Sequence, residues 1–313
     1  MKYLNKIDDY QGENRSAITL GKFDGFHRGH QKLLGAVKHF VGMSENQDEK
    51  INSIVFAFDM CKFRQEHGMD YEQIMLPREQ TEFLNTKVDC LIHCDFADEI
   101  RCMEAERFIE EIIVKKFRAK YIVVGSDFHF GYKAKGTVDM LRTYAEQFDY
   151  QVIEIEKETY GDQEISSSLI KTCIRNGEME NANAMLGYAY SVRGEVIHGK
   201  KLGRKLGFPT MNVRVNLEKI LPLYGVYSVR VEIAGEFHSG IANVGEKPTV
   251  EVHGIPQVET YVFDYEGDAY GEEIVVKFLR FQRPETKFES VEALKQQVDG
   301  DIRDAKDYFE GSK

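Results

Sequence analysis

Two periodicities follow one another along this chain, and their order limits its fold more than any single motif does. Up to about residue 185, short apolar and β-branched runs alternate with amphipathic stretches of helical period. The spacing predicts strands over SAITLG (16–21), INSIVFAF (51–58), VDCLIHC (88–94), AKYIVVGSDF (119–128) and YQVIEIEKE (150–158). Helices are predicted between several of them, among them AERFIEEIIVKKF (105–117) and TVDMLRTYAEQF (137–148). Such alternation builds a parallel sheet with helices on its faces, and ligands of such sheets bind outside the carboxyl ends of the strands. Between 188 and 283 the helical period is lost. YSVRGEVIHG, GVYSVRVEI, FHSGIANV, QVETYVFDY and EIVVKFLRF are β-type segments punctuated by Gly and Pro, which predicts a small antiparallel barrel. A long polar helix is expected at 290–310, interrupted at Gly300. The 313 residues therefore divide into two domains, 1–185 and 186–313, with IKTCIRNGEMENANAMLG (170–187) carrying the chain between them.

Charge and cysteine content exclude several classes. The formal net charge of -11 argues against nucleic acid and membrane surfaces as partners, though not against small anions held at a local positive site. MKYLNKIDDYQGEN lacks the apolar centre of a signal peptide, and no apolar run reaches membrane-spanning length. The five cysteines include no CxxC pair, which fits a reduced, cytoplasmic protein. Cys90, His93 and Cys94 are close in sequence, but strand alternation sends neighbours to opposite faces and no metal is assigned to them.

Three segments of the first half carry chemistry. GKFDGFHRGH (21–30) follows the first strand and opens a helix. Gly21, Gly25 and Gly29 allow close backbone approach, the helix start favours anions, and His27 and His30 add donors for a phosphate that gains charge during reaction. GSDFHFG (125–131) ends another strand, and ISSSLIK (165–171) opens a helix with Ser166, Ser167, Ser168 and, one turn on, Lys171. Neither GxxxxGK[ST] nor GxGxxG occurs, so the P-loop and dinucleotide-binding readings fail.

In this order and spacing the three segments resemble the nucleotidyltransferase superfamily with its HxGH signature, and more closely the adenylyltransferase domain of bacterial bifunctional FAD synthetases. The resemblance implies that the loop, through Gly21, Phe23, Asp24 and Gly29, holds the phosphates of ATP. It further implies that His27 and His30 stabilise the α-phosphate under attack by FMN, and that Ser166, Ser167, Ser168 and Lys171 line the triphosphate. Asp127 and Phe128 are expected beside the flavin or the nucleotide. Two departures stand out. Lys171 replaces the family's usual Arg, and FAFDMCKFRQ (56–65) stands where the family usually has a Pro-His-Pro element.

In the second half, RGEVIHGKKLGRKLGFPTMNV (193–213) spaces Gly199, Gly203 and Gly207 among Lys200, Lys201, Arg204 and Lys205. A flexible basic loop in an acidic protein fits a polyphosphate. Thr210 and Asn212 share one face of the β-type segment that follows and offer hard oxygens suited to Mg²⁺. This stretch resembles riboflavin kinases and their GxPTAN signature, with Met211 in place of the usual Ala. YGVYSV, GIANVGEKPTV, QVETYVFDYEGDAYG and FLRFQRPETKFESVEALKQQ match in order. The resemblance implies Glu259 as the base that accepts the ribityl proton and Arg283 as a flavin contact. The implied fold is α/β: a nucleotidyltransferase-like parallel sheet with flanking helices, followed by a small antiparallel β-barrel domain with a C-terminal helix. The implied chemistry takes riboflavin to FMN and FMN to FAD, with ATP as co-substrate, a divalent cation, and no obligatory protein partner. Two rivals are a kinase whose first domain is inactive or redirected, and a flavin-binding regulator without turnover.

Overall fold

A computed structural model describes residues 1–313 except 47–48, 96–97, 200–202, 204–206, 248–254 and 312–313. Two compact units divide it, Met1–Ser167 and Ser168–Lys313.

The first unit is built on six parallel strands: β1 (Lys2–Leu4), β2 (Ser16–Gly21), β3 (Asn52–Asp59), β4 (Cys90–Asp95), β5 (Ala119–Gly125) and, after two short strands, β8 (Gln151–Ile155). Their order is β1-β4-β3-β2-β5-β8, which puts β2 at the centre. Residues such as Ile18, Ile54, Phe56, Leu91 and Ile122 are fully buried because both sheet faces are covered, the reason these strands read as apolar runs rather than alternating ones. The connections carry α1 (Arg28–Glu45), α2 (Cys61–Glu66), α3 (Pro77–Leu84), α4 (Asp98–Arg101), α5 (Ala105–Arg107) and α6 (Val138–Phe148). α5 widens directly into a π-helical stretch, Phe108–Lys116, with Phe108, Ile109, Ile112 and Ile113 buried. The helix expected over 105–117 is present, therefore, but only its first turn is α-helical. Two hairpins, β6 (His129–Phe130) with β7 (Gly136–Thr137) and β9 (Thr159–Tyr160) with β10 (Gln163–Glu164), lie beyond the sheet strands.

The second unit opens with α7 (Ser167–Arg175), whose first residue closes the first unit, and α8 (Met179–Leu186). Asn183 of α8 donates to the Phe278 carbonyl at 2.8 Å and accepts the Tyr190 N–H at 2.7 Å, tying this helix to the barrel. The packing boundary thus precedes the change of sequence pattern near 185. Six antiparallel strands close the barrel in the order β11-β12-β15-β14-β13-β16: β11 (Ser191–Ile197), β12 (Met211–Arg214), β13 (Gly225–Ile233), β14 (Glu236–Lys247), β15 (Ile255–Val262) and β16 (Glu273–Pro284). α9 (Val291–Gly311) covers Val226, Ile241 and Phe263 with Ala305.

Gly300 does not interrupt α9. It costs the helix about 1 kcal/mol relative to Ala, and two neighbours outweigh that cost. Ala305 is fully buried, and Asp301 accepts a two-pronged ion pair from Arg283, Nε at 2.8 Å and Nη2 at 2.7 Å, while Gln297 adds a bond at 3.0 Å.

Candidate active sites

At the end of β2 the chain makes a sharply constrained turn. Phe23 and Phe26 adopt left-handed backbone angles (φ 48° and 38°), unfavourable for residues with a Cβ, yet both are fully buried and stack at 5.2 Å. Gly25 between them is also left-handed, and a Cβ there would lie 2.9 Å from Ile74. Asp24 fastens the turn. Its Oδ1 accepts the N–H groups of Ile74 (2.8 Å) and Met75 (3.4 Å), and its carbonyl accepts the Ser167 hydroxyl at 2.8 Å. A carboxylate occupied in this way shapes the loop; it is not free to meet a phosphate directly.

His27 caps α1. Its Nδ1 accepts the His30 N–H at 3.4 Å, which leaves the proton of the neutral ring on Nε2. The two imidazoles stack at 3.6 Å, and His30 meets the edges of Phe23 and Phe26. Burial in this aromatic surround pushes His27 down to about 4; burial, and then the neighbouring ring, hold His30 well below the usual imidazole range. Both rings are neutral N–H donors at pH 7. His30 Nδ1 is a buried polar atom with no hydrogen-bond partner, a costly arrangement unless a ligand oxygen receives it. Gly29 suits this packing, since a Cβ would sit 3.2 Å from the His27 ring and the ring would have to give way.

The remaining residues predicted for this site lie on other elements. Asp127 pairs with Lys157 at 3.1 Å, and Phe128 stacks on Phe130 at 5.6 Å in the turn after β5. Ser166 immediately precedes α7. Ser168 and the buried Lys171 lie within that helix, in the second unit.

The barrel site is set by register. Asn212 of β12 stands opposite Glu259 of β15, and Glu259 stands opposite Asn243 of β14. Directly paired residues share a face, with Cβ atoms about 5 Å apart, so the three form one row across three strands. Met211 pairs with the buried Thr260 on the other face, as its parity requires. Two described glycines of the basic segment pack closely here. A Cβ on Gly199 would fall 2.3 Å from the Asn212 side-chain nitrogen, and one on Gly203 would fall 2.5 Å from the Phe208 carbonyl and 3.3 Å from Thr210 Oγ1. Gly207 takes a left-handed φ of 95° in open space. Lys201 lies outside the described residues. Asn243 and Glu285, which the sequence reading left unassigned, join this site: Asn243 donates to Glu285 at 3.2 Å, and Glu285 closes on Gly245. Arg283, expected as a flavin contact, is turned elsewhere. Its Nε and Nη2 hold Asp301 and its Nη1 donates to the Pro284 carbonyl, so its donors are engaged within the protein.

A neutral, dry pair of imidazole donors at a helix start, and a carboxylate beside amide and hydroxyl oxygens under a glycine loop, together define a two-domain transferase of phosphorus groups. The comparisons with known proteins agree. Residues 9–169 match the family model for FAD synthetase and residues 186–309 the one for riboflavin kinase. The bifunctional riboflavin kinase/FMN adenylyltransferase of Listeria monocytogenes is 32% identical over 96% of this chain and 95% of its own length. That of Bacillus subtilis is 34% identical over 94% and 93%. A crystal structure described as a macrolide-efflux protein from Streptococcus pneumoniae superposes with a TM-score of 0.85 at 31% identity, covering 96% of each chain. Among the described residues of this chain, no helix is long and apolar enough to cross a membrane. The chain belongs to the bifunctional riboflavin kinase/FMN adenylyltransferase family.

Proposed function

We propose that this protein phosphorylates riboflavin to FMN at the barrel site and adenylylates FMN to FAD at the histidine loop, using ATP in both steps. The observation that carries the reading is the match of both family models to this chain, supported by the His27–His30 pair in the first unit and the Asn212–Glu259 pairing in the barrel. In the first step Glu259 accepts the proton of the terminal ribityl hydroxyl as that oxygen attacks the γ-phosphorus. The bond from the γ-phosphorus to the bridging oxygen breaks and ADP leaves. In the second, a phosphate oxygen of FMN attacks the α-phosphorus, and His27 and His30 donate N–H groups to its growing negative charge while pyrophosphate leaves. Ser166, Ser167, Ser168 and Lys171 serve the triphosphate, and Asp127 and Phe128 lie on the flavin side. Asp24 shapes the loop.

Thr210 and Asn212 suit Mg²⁺ by their chemistry, and Gly203 and Gly199 bring backbone close against their side chains, where a Cβ would intrude. When bound, Mg²⁺ neutralises phosphate charge. The free state of all five cysteines supports a reducing, cytoplasmic setting. The functional halves are 1–185 and 186–313. Incubation with riboflavin, ATP and Mg²⁺, followed by chromatography, tests the reading: FMN and then FAD are expected. The FAFDM departure favours one second reading, kinase alone, which FMN without FAD would establish.

A further inference from the structure

Two cations beside the histidine loop have no part in the roles assigned above. Lys22 follows Gly21, the last residue of β2, and Gly21 lies opposite Ala57 on the parallel neighbour β3. β3 ends at Asp59, and α2 begins two residues later, carrying Arg64. Both cations are thus delivered from adjacent strand ends to the carboxyl edge of the sheet, where open α/β sheets bind ligands. Crowding at this rim and the Arg64 guanidinium nearby hold the Lys22 ammonium below the ordinary lysine range.

Neither charge is compensated among the described residues. Among the described residues no hydrogen bond or ion pair engages either side chain, although Lys22 is exposed and Arg64 only half-buried. Two acids of these segments are engaged with backbone amides: Asp24 accepts from the amides of Ile74 and Met75, and Asp59 accepts from the Cys61 N–H at 2.9 Å. Two other cations of this region are treated differently. Arg28 and Lys32 are both neutralised by Glu158, at 2.5 and 2.6 Å. Among the described side chains, this like-charged pair stands together without an acid, an arrangement that an anionic ligand offsets.

We propose that Lys22 and Arg64 bind the phosphate of FMN and hold it for attack on the α-phosphorus of ATP. This assignment rests on the adenylyl-transfer reading. The in-line geometry of phosphoryl chemistry places the attacking and leaving oxygens on opposite sides of phosphorus. Ser166 and Ser167 enter after β8, on the β5 side of β2, whereas the cation pair stands on the β3 side. The leaving pyrophosphate belongs with the serines and the nucleophile with the cations. Arg64 also lies inside FAFDMCKFRQ, the segment that departs from the family's Pro-His-Pro element. Riboflavin has no phosphate for the pair to hold, which makes the site selective for FMN.

Steady-state FAD formation from supplied FMN tests the assignment with Lys22→Gln, Arg64→Gln and Arg64→Lys, riboflavin phosphorylation serving as the folding control. The expected result for each Gln variant is a KM for FMN raised roughly 10- to 100-fold, the usual worth of a charge-assisted hydrogen bond. The KM for ATP should be unchanged and Arg64→Lys should recover part of the loss. An unmoved KM for FMN, with the wild-type chain making FAD, overturns the assignment alone. A rise confined to the KM for ATP overturns it too and gives the pair to the triphosphate. A wild-type chain that makes no FAD from FMN defeats the adenylyl-transfer reading itself, and this assignment with it.

Discussion

The histidine loop and the barrel row handle charged phosphorus groups by opposite means. The loop places uncharged imidazoles in an aromatic, desolvated surround, where even a neutral N–H is a strong donor because little water competes. The barrel places a carboxylate, two amides and a hydroxyl under backbone that cannot accept a side chain. The first arrangement needs an interior and a strained turn to support it. The second needs only strand register and a few glycines. A parallel sheet buried on both faces provides the one, and a small barrel, with an outer face to spare, provides the other.

Substitutions that silence one site and spare the other give the sharpest test of this contrast. Glu259→Gln should lower riboflavin phosphorylation by about 10²–10⁴-fold, the span for a general base, and leave FAD formation from supplied FMN intact; flavin chromatography reads both. The reciprocal change, His30→Ala, should depress FAD formation on the order of 10²–10³-fold with phosphorylation nearly unchanged. Equal loss of both activities in either variant would break the comparison.

Acid should separate the sites as well. His27 titrates near 4 when folded and near 6.5 when unfolded, so between these values the unfolded chain binds the extra proton. Stability from this group is complete above about pH 6.5 and falls by about 3 kcal/mol as the pH drops to 4. Urea unfolding followed by helical circular dichroism should show that loss in the wild type and less of it in His27→Gln. The smallest effect is expected for Gly199→Ala. Its methyl group would force the loop off Asn212, and overpacking of 1–3 kcal/mol corresponds to roughly a tenfold or greater rise in the Mg²⁺ concentration needed for phosphorylation. FAD formation at saturating Mg²⁺ should not change.

Much of this architecture was legible because it is local. SAITLG is the strand Ser16–Gly21 without adjustment, and each of the five segments read as barrel strands falls on a barrel strand, YSVRGEVIHG and QVETYVFDY running past its ends. The sites were legible wherever a motif concentrates in one segment, as in HRGH or FPTMN. What escaped is set by distant neighbours. The three-residue β1 is too short to carry a pattern and forms by pairing with β4. Gly300 reads as a helix break until the Arg283–Asp301 pair is known, and that same pair removes Arg283 from the list of free guanidiniums. Asn243 is one more polar residue on an alternating strand until register sets it beside Glu259. Asp24 reads as an acid near phosphates, while its partners are amides fifty residues away in sequence.

The register row has a consequence for how the kinase half changes over generations. Strand parity ties Glu259 to Asn212 and Asn243, and ties Val258 and Thr260 to the core. A substitution in β15 alters one side chain. Inserting or deleting one residue upstream within that strand exchanges the two faces, turning a carboxylate into the core and a valine out of it. The strand can therefore drift in composition at several positions while its length stays fixed, and loops rather than strands should hold the length differences among relatives.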